Sequence, residues 1–212
     1  ICLSIKSPVV ALVHHPLALE SGLAPGTAER LRASEKAALA HARRVIVTSR
    51  TTAAILAADY DVPQDRIAVA EPGTAAAPRA PGSGGSVPVI LAVGAVSPRK
   101  GYEVLVEALA GLRDEAWRLV IAGAADRDAE AGGRLLAAIA RHGLADRVTL
   151  AGAIPDEALD ALYAGADIFA MSSLYEGYGM VLAEAMARGL PIVATMGGAA
   201  AETVPEGVAI KV

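Results

Sequence analysis

The sequence predicts an α/β protein built on parallel sheet, and three observations carry that prediction. Apolar runs of strand length alternate with segments of helical period along the chain. The 212 residues are 54% hydrophobic but only 3% aromatic, so the core must be aliphatic and alanine-rich, which suits helices packed closely on sheets. The stretch TAAAPRAPGSGGSVP, residues 74–88, interrupts the alternation with a linker composition. The expected organisation is a first domain over 1–73, a linker over 74–88 and a second domain over 89–212.

The first domain reads as βαβαβ. A strand starts at Val9, a helix covers TAERLRASEKAALAHARR from Thr27, and a second strand starts at Val45. A helix follows from Arg50, with Ser49 or Thr48 placed to cap it and Pro63 stopping the chain after it. IAVAEPG, from Ile67, is the third strand. In the second domain, strands begin at Val89, Arg118, Val148, Asp167, Pro191 and within GVAIKV, and each of the first five precedes a helical segment. The expected helices run from about Lys100 to Leu112, from about Ala129 to His142, over PDEALDALYAGA, from about Tyr178 to Arg188, and briefly over AAAETV. Six alternating units predict a six-stranded parallel sheet covered on both faces. Ligands in such sheets bind outside the carboxyl ends of the strands, at the point where strand order reverses.

Composition excludes several classes. A net charge of −4 gives no bulk attraction for nucleic acid. With one cysteine, Cys2, no intrachain disulfide is possible. Apolar runs are strand-length rather than membrane-spanning. The chain opens on ICLSIKSPVV without methionine and reads as an internal fragment of a longer protein.

Two strand-to-helix loops attract chemistry. In the first, AVSPRKGYEVLVEAL follows the strand at Val89 and puts Arg99 and Lys100 at a helix start. The helix dipole disfavours cations there unless an anion sits between, and phosphate is the obvious anion. Two solvated surface cations are the alternative. Lysines number four, at 6, 36, 100 and 211, against fifteen arginines, which makes Lys100 stand out.

The second loop is YEGYGMVLAEAMARGLP, residues 175–191, where Glu176 and Glu184 lie eight positions apart around Gly177-Tyr178-Gly179. Glycines let a backbone approach a ligand, and the first helical N–H groups lack internal partners. Ionised carboxylates are pure acceptors, suited to vicinal diols of ribose or a hexose. The alternative is a solvated helix face. Leu182, Ala185 and Met186 form an apolar stripe with Glu184 roughly opposite, and Glu184 and Arg188 are spaced as an i,i+4 pair. Glu176 could equally answer the helix dipole, and Tyr175 and Tyr178 could be packing aromatics.

Two further constellations carry less. Asp126-Arg127-Asp128 is a DxD, but it precedes a helix and reads first as a cap. His14 and His15 are adjacent on a strand and point to opposite faces, with no ligand cluster nearby in sequence.

Together the two loops resemble the retaining glycosyltransferases of the GT-B fold, family four. EGYGMVLAEAMARGLPIVAT, from Glu176 to Thr195, is similar to that family's E-x7-E signature. ALVHH, with His14, and the run VIVTSRTTAAIL to VPQDRIAVAEPGT are similar to its first domain. The resemblance covers about Val9 to Val212. It implies a GT-B-like protein: a Rossmann-type six-stranded second domain preceded by a partial βαβαβ acceptor-side domain. The implied activity is retaining, metal-independent glycosyl transfer from a nucleoside-diphosphate sugar, without cofactor, to an unknown sugar, lipid or small-molecule acceptor.

By that resemblance Lys100 holds the diphosphate and Glu184 the ribose hydroxyls. Glu176 and the backbone of Gly177, Tyr178 and Gly179 meet the transferred sugar and phosphate. The loop at Ala153 and Ile154 takes the base, and His14 lies near the sugar. Gly94 belongs to the glycine loop but is followed by Ala95 where the family often has arginine, a role Arg99 could fill. No metal ligand and no nucleic-acid partner are implied. The implied location is the cytoplasm, with peripheral contact at the inner membrane face through regions outside this chain left open. Rival readings are a sugar-nucleotide epimerase, a glycogen-type synthase and a non-catalytic nucleotide-sugar-binding fragment.

Overall fold

The structure is a computed structural model that describes residues 7–212. Cys2, Lys6 and the start of the opening segment lie outside the described residues. The chain divides into two compact units. The first takes in the chain up to Gly73 together with Tyr175–Gly179 and Gly197–Thr203. The second comprises Thr74–Leu174, Met180–Met196 and Val204–Val212.

In the first unit, β1 (Val10–Val13), β2 (Arg44–Val47) and β3 (Ile67–Val69) form a parallel sheet in that order, with Val13 opposite Val47 and Val47 opposite Val69. The crossovers are α1 (Thr27–Ala40) and α2 (Arg50–Asp59). Val45, Val47 and Leu56 are fully buried, and Val13, Leu39 and Val62 pack with them. Ser49 rather than Thr48 caps α2, its hydroxyl accepting from Thr52 N at 3.0 Å. Helix α1 stops at Ala40, four residues short of the sequence expectation. The Arg43 N–H is committed to Val9 O at 2.8 Å, and the β-branched run that follows takes Arg44 into the strand.

The second unit holds a six-stranded sheet of β4 (Val89–Val93), β5 (Arg118–Ala122), β6 (Val148–Gly152), β7 (Ile168–Met171), β8 (Ile192–Ala194) and β9 (Ala209–Lys211). Strand order is β6-β5-β4-β7-β8-β9 and every neighbouring pair is parallel. This is the doubly wound order, and it reverses between β4 and β7. Ile90, Leu91 and Ala92 are 8%, 0% and 0% exposed. Side chains alternate along a strand, so three buried in a row require cover on both faces. Ile90 and Ala92 pack with Val106 of α3 (Tyr102–Ala110) and Leu135 of α4 (Ala129–Arg141). Leu91 lies beside Phe169 in the register, and Phe169 stacks on Tyr163 of α5 (Asp156–Ala164), ring centroids 5.9 Å apart. Burial of each such side chain is worth roughly 1.5–3 kcal/mol.

The stretch with linker composition is tied to the second unit. Ala80 N donates to Arg188 O and Gly82 N to Ala164 O. The Asp167 carboxylate, just before β7, accepts from Ser83 N at 3.0 Å and Val89 N at 2.8 Å. Hydrogen bonding from the Ser83 side chain first, and then from Val89 N, holds its pKa below the ordinary aspartate value.

Candidate functional site

At the reversal point, the loops that leave β4 and β7 are joined. Arg99 and Lys100 lie on a single 3-10 turn, Pro98–Lys100, rather than on the helix the sequence predicts there. Gly101 follows with φ 60, and only then does α3 begin. A left-handed glycine is required because a Cβ at that point would collide with the Ser172 carbonyl. Ser172 Oγ donates to Lys100 O at 2.9 Å, and Leu174 N donates to Arg99 O at 2.8 Å. The backbone of both cationic residues is therefore fastened to the end of β7. The Lys100 side chain turns back over Gly94, where a Cβ would fall 2.7 Å from its Cε and 3.1 Å from its Nζ. Tyr102 Oη donates to Gly94 O at 2.8 Å. A half-buried ammonium thus sits at the carboxyl end of β4, which is where an open α/β sheet takes an anion.

Glu184 lies in the second turn of α6 (Met180–Ala187), which starts two residues later than expected. It does not stand on a solvated face. It is half-buried, and its Oε2 accepts from Tyr163 Oη at 2.8 Å. The i,i+4 ion pair with Arg188 that the spacing suggests does not form. Arg188 pairs with Asp160, donates to the Glu184 backbone carbonyl at 3.1 Å, and lies 4.5 Å over the Tyr163 ring. Asp160, on the neighbouring helix, wins the guanidinium, and the tyrosine takes the carboxylate. Burial, and then the Glu184 charge, push the Tyr163 phenol well above its ordinary pKa.

In the first unit, Glu176 is only 7% exposed and its backbone forms a parallel bridge with Gly198. Its N–H donates to Gly197 O at 3.2 Å and its carbonyl accepts from Ala199 N at 2.8 Å. Gly177 packs so tightly on His14 that a Cβ would strike the His14 carbonyl. Thr48 Oγ1 donates to both His14 O (3.0 Å) and Gly177 O (3.2 Å). This close approach brings the predicted residues His14, Glu176 and Gly177 together, with the His14 side chain exposed. Tyr178 has its carbonyl bonded by Thr203 Oγ1, and Gly179, with φ 93, leads into α6. Burial and the Glu71 charge raise the Tyr178 pKa.

Asp128 caps α4, accepting from Ala131 N at 2.9 Å. Ile154 is half-buried in the loop between β6 and α5. Among the described residues, no three His, Cys, Asp or Glu side chains gather as a metal site, and no helix is long and apolar enough to cross a membrane. Sequence reasoning missed Gly101, Ser172 and Tyr163. The available signals were a glycine directly before a helical run and one of only five tyrosines at the end of an amphipathic helix.

Residues 75–211 match the family model described as glycosyl transferases group 1, and residues 2–76 match glycosyltransferase family 4. The chain is 33% identical to a D-inositol 3-phosphate glycosyltransferase of Nocardia farcinica over 93% of its own length and 49% of the relative's. A sucrose-phosphate synthase structure from Thermosynechococcus elongatus aligns with TM-score 0.84 at 28% identity, covering 99% of this chain and 56% of that one. The Anabaena protein Alr3699/HepE, solved with UDP and glucose, aligns with TM-score 0.83 at 24% identity, covering 98% and 58%. The α/β, GT-B-like class expected from the sequence is the fold of these neighbours. The chain spans about half the length of the curated relatives it matches.

Proposed function

The chain belongs to the group 1 glycosyl transferases, and from that premise we propose that it takes part in retaining, metal-independent transfer of a sugar from a nucleoside-diphosphate donor to a hydroxyl acceptor. The acceptor oxygen replaces the diphosphate at the anomeric carbon with configuration kept. Charge developing on the leaving diphosphate is met by Lys100, by Arg99 and by backbone N–H groups, because preformed dipoles and cations lower such a barrier without reorganising. Glu184 accepts from ribose hydroxyls. Glu176, the Gly177–Gly179 backbone and His14 attend the transferred sugar, and Ile154 the base.

The observation that carries this reading is the Lys100 ammonium folded over Gly94 at the end of β4, in a loop fastened to the end of β7. That is an anion position at the reversal of a doubly wound sheet. A second reading is a sugar-nucleotide-binding module without turnover. Calorimetric titration with UDP, GDP and ADP tests the donor site, UDP first because the Anabaena neighbour was solved with it. One nucleotide binds, and Lys100→Ala and Glu184→Ala each weaken it about tenfold or more. Equal affinity in both variants contradicts the reading. Product analysis of the full-length protein separates transfer from binding alone.

A further inference from the structure

We infer that Tyr163 is a positioning residue for nucleotide binding, fixing the Glu184 carboxylate in the one orientation from which it can accept ribose hydroxyls. The inference rests on the proposed role of Glu184 and adds a residue that no sequence motif marks. Tyr163 is 1% exposed, at the end of α5, and its ring is held on two sides. One face stacks on Phe169 of β7 with an interplanar angle of 19°. Over the ring lies the Arg188 guanidinium, 4.5 Å from the centroid and anchored by Asp160.

The phenol has one proton. Two acceptors lie near it, Glu184 Oε2 at 2.8 Å and Val181 O at 3.5 Å, and the proton goes to the nearer, charged one. One carboxylate oxygen of Glu184 is thereby satisfied and its side-chain torsions are fixed. The other oxygen is left to a ligand. A glutamate on a helix surface would otherwise sample several rotamers, and ordering it on binding costs affinity. Holding it beforehand removes that cost.

Tyr163→Phe deletes the hydroxyl and keeps both ring contacts. Isothermal titration with UDP, GDP and ADP, and with inorganic pyrophosphate, is run on the wild type, Tyr163→Phe, Glu184→Ala and the double variant. The expected result is about tenfold weaker nucleotide binding in Tyr163→Phe, pyrophosphate binding unchanged, and no further loss when Tyr163→Phe is added to Glu184→Ala. Parallel loss of pyrophosphate affinity overturns the inference, because it marks a general structural defect. Nucleotide binding weakened by Glu184→Ala but untouched by Tyr163→Phe overturns the inference alone. Failure of all three nucleotides to bind the folded wild type, or binding indifferent to Glu184→Ala, overturns the donor-site reading and the inference with it.

Discussion

Glu176 and Glu184 are eight residues apart, and their surroundings are built differently. The backbone at Glu176 is fixed by a bridge to Gly198, with the adjoining Gly177 packed against the His14 carbonyl. Glu184 is placed by its side chain, through the hydroxyl of a tyrosine on another helix. Each neighbourhood is therefore vulnerable at a different place. The backbone at Glu176 depends on the Cβ atoms that Gly177 and Gly198 leave out. The second depends on one atom that a neighbouring helix supplies.

Substitutions sharpen that contrast. The largest effect is expected at Gly177→Ala, where the new methyl meets backbone that cannot swing aside. Urea unfolding should show a loss of about 2–4 kcal/mol. Glu184→Ala comes next. It leaves the buried Tyr163 hydroxyl without its carboxylate and should cost about 1–2 kcal/mol, with Glu184→Gln costing less because it keeps an acceptor. If Glu184→Ala and Glu184→Gln are equal, the tyrosine bond does not hold that side chain. Tyr163→Phe combined with Glu184→Ala should lose less than the sum of the two, a non-additivity that Glu176→Ala combined with Tyr163→Phe should not show.

A smaller effect is expected where the chain meets β7. Asp167 has its pKa lowered by accepted hydrogen bonds, so its contribution is fully present above the ordinary carboxylate range. That contribution is lost as pH falls through the lowered value. Asp167→Asn should reduce stability by about 1 kcal/mol at pH 7 and flatten the acid limb of the stability curve. Thermal melts between pH 7 and pH 3 read both. The smallest is Lys36→Ala, which breaks an exposed pair with Asp61 and should stay within about 0.5 kcal/mol.

Much of the fold was legible because apolar runs such as VILAV and IFAM are short, aliphatic and separated by helical period, leaving few other ways to bury them. The end of α1 and the start of α3 were less legible. Each is set by a hydrogen bond or close contact from far along the chain, as when the Ser172 carbonyl packs on Gly101 and its hydroxyl bonds Lys100 O, with Arg99 and Lys100 held off the helix. The segment around Glu176 and Glu184 announced itself by spacing. Which way Glu184 faces did not, because Asp160 and Tyr163 compete for Arg188 and Glu184 from a helix about twenty residues earlier. Helical spacing alone favours the Glu184–Arg188 pair, and tertiary partners override it.

The most direct test of the central claim, that Glu184 accepts from the ribose of a donor nucleotide, is a comparison of the tightest-binding nucleoside diphosphate with its 2′,3′-dideoxy analogue. The account predicts that the wild type binds the analogue about tenfold more weakly and that Glu184→Ala binds the two alike. Equal binding of both compounds by the wild type would contradict it.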